Sequence, residues 1–275
     1  MRNFIITCLV CCIFFTSCRK RYDNDPSALM NYRIETAFDE MTNISDQAVT
    51  GNMVYYKSGE VIYTKPGAST NLPKTPCNVI ITLDTTAFPR TVTVDYGNTN
   101  CDCNDGKTRR GKIITTYTGP YLSTGTVITH TPEEYYVNNI HIQGTKTVQN
   151  MGLNTFSQPY YQVEINGSAT DPSADMLTYS SSRVRTWITG FNTLMDRFDD
   201  EYDITGTATG TFSNGGGYTS QTVAPIRIKV GCGFPVSGEL QITPLDRPMR
   251  TINYGDGTCD YTFTVTVNGQ TFTVN

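Results

Sequence analysis

The sequence has 275 residues and a formal net charge of −4, and only 17% of its residues are charged. Because it holds no excess of lysine or arginine to neutralise phosphates, this balance argues against nucleic acid as a partner. Glycine and tyrosine are abundant, with 23 and 17 copies, and threonine and asparagine are frequent. Such a composition is typical of β-structure with many turns.

The first 17 residues have the pattern of an export signal. One basic residue, Arg2, precedes an apolar run over residues 4–15, which is too short to cross a bilayer because a spanning helix needs about 20 apolar residues. The segment Phe15-Thr16-Ser17-Cys18 resembles the lipobox of bacterial lipoproteins. We therefore expect cleavage of a signal peptide over residues 1–17, lipidation of Cys18 and attachment to a membrane through acyl chains. An ordinary signal peptide with an incidental cysteine is the alternative.

Residues 18–27 are polar and are interpreted as a lipid-anchored tether, and residues 28–51 are predicted to form an amphipathic helix. The apolar positions that recur every three or four residues are Met30, Ile34, Ala37, Phe38, Met41, Ile44 and Ala48. We expect this helix to pack on the edge or mouth of a sheet. Its polar side carries Glu35, Asp39, Glu40 and Asp46. These charges disfavour adsorption to an anionic membrane.

The rest of the chain alternates between strand-like and turn-like segments. The clearest case is Asn268-Gly269, which separates two alternating runs and therefore indicates a β-hairpin. No strand–helix–strand alternation occurs, which excludes a parallel sheet. We predict an all-β fold of antiparallel strands, as an elongated sheet or a sandwich, with the single N-terminal helix. Residues 52–150 and 151–275 form two β halves or one continuous domain.

An internal repeat relates four of the cysteines. Each copy has a cysteine, a strand-like run, Arg-Thr at the start of a second run, and then Tyr-Gly-x-x-x-Cys-Asp. The repeat predicts disulfides Cys77–Cys101 and Cys232–Cys259, each of which joins the ends of two antiparallel strands; an exported protein permits such bonds. Cys103 is then the remaining thiol, and a Cys77–Cys103 bond is the alternative.

The sequence contains no recognisable catalytic set. His130 and His141 lie in neighbouring predicted strands, where a hairpin with two surface histidines is a simpler interpretation than a metal or acid–base site. Cys101-Asp102-Cys103 lacks the second half that a zinc site needs. Motifs for a nucleophile with its base, or for a phosphate loop, do not occur. We therefore predict a non-enzymatic protein without a metal or cofactor.

Three residues of one predicted strand are candidates for ligand binding. Arg183, Arg185 and Trp187 share a face because side chains alternate along a strand. Trp187 is the only tryptophan, and beside two guanidinium groups it could stack on a sugar or hold an anionic glycan. The alternative interpretation is a tryptophan that anchors the core.

Several of these segments, taken together, resemble uncharacterised outer-membrane lipoproteins of Bacteroidota, over nearly the whole chain after the signal. The segments are the lipobox and residues 48–51, 95–97, 105–113, 135–138, 183–190 and 254–260. The resemblance implies export and anchoring on the outer membrane, and it carries no known activity.

We therefore expect a non-enzymatic lipoprotein of the cell envelope that binds a glycan or an envelope protein. The alternatives are a structural or envelope-assembly component and a lipid carrier with an apolar β-groove.

Overall fold

The computed structural model describes residues 27–50, 55–57, 60–62, 79–84, 86–103, 105–193, 197–232 and 234–274. The predicted signal peptide, Cys18 and Cys77 lie outside the described residues.

The described elements are one α-helix, a short 3-10 helix (Arg197–Asp199) and sixteen strands. In chain order they are α1 (Ser27–Thr50), β1 (Tyr55–Lys57), β2 (Glu60–Ile62), β3 (Ile80–Asp84), β4 (Arg90–Asp95), β5 (Cys101–Asp102), β6 (Thr108–Tyr117), β7 (Val127–Val137), β8 (Ile140–Leu153), β9 (Pro159–Thr170), β10 (Met176–Thr189), β11 (Glu201–Phe212), β12 (Gly217–Lys229), β13 (Ser237–Pro244), β14 (Arg250–Asp256), β15 (Phe263–Val267) and β16 (Gln270–Val274). None of the described helices is long and apolar enough to span a membrane.

Strands β3 to β16 form one antiparallel sheet in which neighbours in the chain are neighbours in space. The short β5 pairs with β6 beside this path, and β1 and β2 pair with each other. Asn268-Gly269 makes the turn between β15 and β16, with φ above zero at both residues. The predicted all-β antiparallel fold with one N-terminal helix is confirmed. Strand β8 crosses residue 150, so the sheet runs without a break through the boundary between the two predicted halves.

Helix α1 lies across one face of the sheet, which we name the helix face; the opposite side is the open face. The helix contacts β4, β6, β7, β8, β9 and β13. Its 24 residues make it about 36 Å long, close to the width of the eight strands from β6 to β13 at about 4.8 Å per strand. The side chains of Ile34, Phe38 and Met41 are fully buried against the sheet. The expectation that the helix packs on the edge or mouth of the sheet is therefore wrong.

Ion pairs join the helix to buried cations of the helix face. Arg183 of β10 pairs with Glu35, and Arg109 of β6 contacts Glu40 at 3.0 Å. Lys146 of β8 lies 2.5 Å from Asp39. The three cations are almost fully buried, and a buried charge without a partner is strongly destabilising. The acidic side of α1 thus helps to fix the helix on the sheet.

The second predicted disulfide is confirmed. Cys232 and Cys259 are bonded, with their Cα atoms 5.6 Å apart, and they join the residues before β13 to those after β14. Cys101 also takes part in a disulfide, whereas Cys103 does not and keeps its thiol. Burial raises the pKa of that thiol. The predicted partner of Cys101, Cys77, lies outside the described residues.

Candidate functional site

The three predicted binding residues lie together on the helix face of β10. Arg183 is buried, and Glu35 accepts hydrogen bonds from both Arg183 and Tyr179. Trp187 is only 6% exposed, and its Nε1 donates to Asp200 at 3.1 Å. Both residues therefore hold the core together. Ligand binding by them stays a prediction, and these contacts do not favour it.

Arg185, between them, is enclosed by aromatic rings. Its guanidinium carbon lies 4.9 Å from the ring centroid of Tyr161 and 5.3 Å from that of Tyr202. Its Nη2 donates to the hydroxyl of Tyr121 at 3.3 Å. Burial acts to lower the pKa of Arg185, but these phenol groups and the carboxylate of Asp46 outweigh it, so the pKa is raised and the guanidinium stays charged. The contacts join β9, β10 and β11 under the C-terminal part of α1.

The two histidines lie on opposite faces of the sheet. His130 is fully buried on the helix face, so its expected surface position is wrong. Its ring is hydrogen-bonded to Thr42 of the helix at 3.2 Å and to Thr115 of β6 at 2.9 Å. His130 pairs across the strands with Lys146, and His141 lies five residues from that position, about 17 Å along β8. One metal ion cannot be held by both histidines. Among the described residues, no group of three His, Cys, Asp or Glu side chains is placed to hold a metal.

A different cluster, which we name the open-face stack, consists of Arg110, Tyr136 and His141. These residues are direct neighbours across β6, β7 and β8. The guanidinium carbon of Arg110 lies 3.6 Å from the ring centroid of Tyr136. The rings of Tyr136 and His141 are stacked 4.3 Å apart at 8°. Three planar polar groups therefore form one continuous row, and each of them is partly exposed.

Two asparagines fix the guanidinium of Arg110 in the open-face stack. Its Nη1 donates to Oδ1 of Asn100 at 2.6 Å and to Oδ1 of Asn139 at 3.1 Å. Asn100 also donates to Asn139, at 2.7 Å. Both acceptors are neutral amides, and among the described residues no carboxylate forms an ion pair with Arg110. The stack therefore presents an oriented positive charge that no described acid neutralises.

The β7–β8 hairpin explains how the sequence builds this arrangement. Asn138 and Asn139 form its two-residue turn with φ of 49° and 65°, a conformation that asparagine tolerates better than most residues. Residues equally distant from a two-residue turn lie opposite each other, which brings Tyr136 and His141 together. The open-face stack was not predicted from the sequence. The Asn-Asn pair between two strand-like runs could have indicated the hairpin turn that builds it.

Much of the open face beyond the stack is polar. One row of paired positions crosses thirteen strands and holds only polar side chains. From β3 to β16 its members are Asp84, Thr91, Thr116, Thr129, Thr147, Glu164, Ser182, Thr207, Gln221, Gln241, Thr251, Thr266 and Thr271. At about 4.8 Å per strand, the row is roughly 60 Å long. A depression of about 250 Å³ lies along it on β11, β12 and β13.

The chain matches no protein-family model, no curated protein and no solved structure. Its function must therefore be inferred from its own residues.

Proposed function

We propose that the protein is a membrane-anchored, non-enzymatic lipoprotein that binds an acidic glycan through the open-face stack. The observation that carries this proposal is the guanidinium of Arg110, held flat against Tyr136 by two neutral amides. A planar guanidinium matches the geometry of a carboxylate and can bind it with two hydrogen bonds. Because the side chain is already oriented, little conformational entropy is lost when a ligand binds.

The surroundings of the stack support a sugar rather than a small inorganic anion. The hydroxyl of Tyr136 and the ring nitrogens of His141 form no hydrogen bond with another described residue, so both can pair with sugar hydroxyls. The long polar row of the same face offers further hydroxyl and amide groups. A chain of several sugars would therefore find partners over many strands.

The helix face does not favour the alternative of a lipid carrier with an apolar groove. Helix α1 covers that face, and its apolar side chains are fully buried there. The stack also contains no nucleophile beside a general base, and the buried His130 lies on the other face. We therefore retain the non-enzymatic interpretation, with a structural or assembly role as the second possibility if no glycan binds.

The glycan proposal predicts that Arg110→Gln weakens binding of polygalacturonate at least tenfold, since the substitution removes the charge that pairs with the carboxylates. Arg90→Gln is the matched control, because Arg90 also lies over an aromatic ring, that of Phe88 at 4.4 Å. Isothermal titration measures both variants beside the wild type, with neutral dextran as the comparison ligand. Equal affinities for Arg110→Gln and wild type, or preference for dextran, would contradict the proposal.

The anchoring part of the proposal rests on the lipobox at Cys18. Growth with a palmitate analogue should label the wild type, and Cys18→Ala should lose the label and be recovered in the soluble fraction. Cys103→Ala is the control, since it removes a thiol of the sheet domain and should stay labelled. Equal labelling of Cys18→Ala and wild type would show that the anchor is elsewhere.

A further inference from the structure

The last strand, β16, forms one edge of the sheet. Among the described strands it pairs only with β15, and all five of its residues are exposed. It contains no charged residue and no proline, and its pairing with β15 is regular. Charge, proline and bulges are the features by which proteins block an edge strand from pairing with another chain. None of these three features occurs in β16.

Two apolar side chains of β16 lie on the helix face and are partly exposed. Phe272 and Val274 are 47% and 38% exposed. They lie opposite Val265 and Phe263 of β15, which pack against the core. A strand added to this edge would cover both side chains, as well as pair the backbone.

We propose that β16 pairs antiparallel with β16 of a second copy of this chain, about a two-fold axis at Phe272. The segment Thr271-Phe272-Thr273 reads the same in both directions, so this register places each Phe272 opposite its counterpart and each Thr271 opposite a Thr273. Threonine pairs of this kind already join β15 to β16, where the hydroxyls of Thr266 and Thr271 are 2.8 Å apart. The interface therefore repeats a pairing that the chain uses internally.

The other edge of the sheet fits a second copy less well. Strand β3 has the sequence Ile-Ile-Thr-Leu-Asp, which lacks this symmetry and ends in the charged Asp84. Pairing of β3 with β16 of another copy would also be head-to-tail and would produce open chains of molecules, whereas two β16 strands close a dimer.

The proposed dimer has a consequence for the open face. A two-fold axis perpendicular to the sheet keeps the two open faces on the same side. Thr271, the last member of the polar row in one copy, then lies beside Thr273 of the other copy, two residues along β16 from the end of that copy's row. Two open-face stacks would be presented to one polysaccharide, an arrangement that strengthens binding through multivalency.

Cross-linking in membranes tests the pairing. Phe272→Cys places two thiols opposite each other at a Cα separation of about 4.5–5.5 Å, within the range of a disulfide. Mild oxidation of membranes that hold the full chain should give a covalent dimer on a non-reducing gel. Leu83→Cys is the matched control, because Leu83 is also 47% exposed and lies on the opposite edge. It should stay monomeric, as should the wild type. Absence of the Phe272→Cys dimer, or equal cross-linking of Leu83→Cys, would overturn the proposal.

Lysine substitution gives a second readout that does not depend on cross-linking. The double variant Thr271→Lys/Thr273→Lys sets lysines opposite lysines across the two-fold axis, at exposed positions of the open face. It should sediment as a monomer in detergent, whereas the wild type sediments as a dimer. The control Thr264→Lys/Thr266→Lys adds the same charge one strand further in and should remain dimeric. A monomeric wild type, or a dimeric edge variant, would refute the pairing.

Discussion

Replacing Glu35 by glutamine is expected to destabilise the protein by about 3–5 kcal/mol, because it leaves Arg183 buried without a compensating charge. The Arg183 side chain is 8% exposed and that of Glu35 27%. Nη1 of Arg183 already has no hydrogen-bond partner in the described structure. Glutamine keeps the size and one acceptor of the side chain, so the loss reports mainly on the charge.

Chemical denaturation followed by circular dichroism measures this effect. Glu164→Gln is the matched control, since it makes the same chemical change on the open face, where Glu164 accepts hydrogen bonds from neutral Gln162 and Ser182. Its effect should stay within about 0.5 kcal/mol. A loss below about 1 kcal/mol for Glu35→Gln would show that the ion pair adds little to the docking of α1.

Acid should destabilise the folded protein through His130. Burial, with smaller contributions from the charges of Lys146 and Arg185, lowers the pKa of His130 to about 3. In the unfolded chain a histidine takes up its proton near pH 6.5, so the unfolded state binds one more proton between these values. The free energy of unfolding should therefore fall by about 1.4 kcal/mol for each pH unit below pH 6 through this group.

The contribution of His130 can be separated from that of the carboxylates by comparison with His130→Asn. The variant should be less stable at pH 7, where it lacks the bonds to Thr42 and Thr115, and its stability should fall less steeply between pH 6 and 4. His141→Asn, which removes the imidazole of the open-face stack, is the matched control. Parallel pH profiles for His130→Asn and wild type would contradict the assignment.

Local patterns in the sequence were enough to predict most of the fold. The alternation of apolar and polar residues and the Asn268-Gly269 turn predicted antiparallel strands. The spacing of the apolar residues predicted a helix over 28–51, and the observed helix is Ser27–Thr50. The internal repeat identified Cys232–Cys259. Each of these signals depends on residues that are close in sequence, where turn chemistry and side-chain periodicity determine the structure.

The interior could not be predicted because its partners are distant in sequence. In the sequence, the acidic residues of α1 indicate only that one side of the helix is polar. In the structure, Glu35 pairs with Arg183 and Asp39 pairs with Lys146, and the two residues of each pair are more than a hundred positions apart. The buried His130 is likewise hydrogen-bonded to Thr42, which lies 88 positions away in the sequence. A single sequence shows the charges but not which strand faces the helix.

The candidate site was misplaced for a related reason. Arg183, Arg185 and Trp187 do share a face, as predicted, but alternation does not say which face the helix covers. The open-face stack depends on the register between β6 and β7 as well as on one hairpin turn. The pairing of Tyr136 with His141 across the hairpin was the only part of the stack that could be predicted from the sequence.

Hydrogen–deuterium exchange of the protein with and without saturating polygalacturonate tests the site assignment most directly. Peptides that cover residues 99–111 and 134–142 should exchange more slowly with the glycan present, because the ligand would contact Arg110 and the Asn138-Asn139 turn. The peptide that covers residues 183–187 should be unchanged. Protection at 183–187, with none at the hairpin turn, would contradict the open-face stack and favour the site first predicted from the sequence.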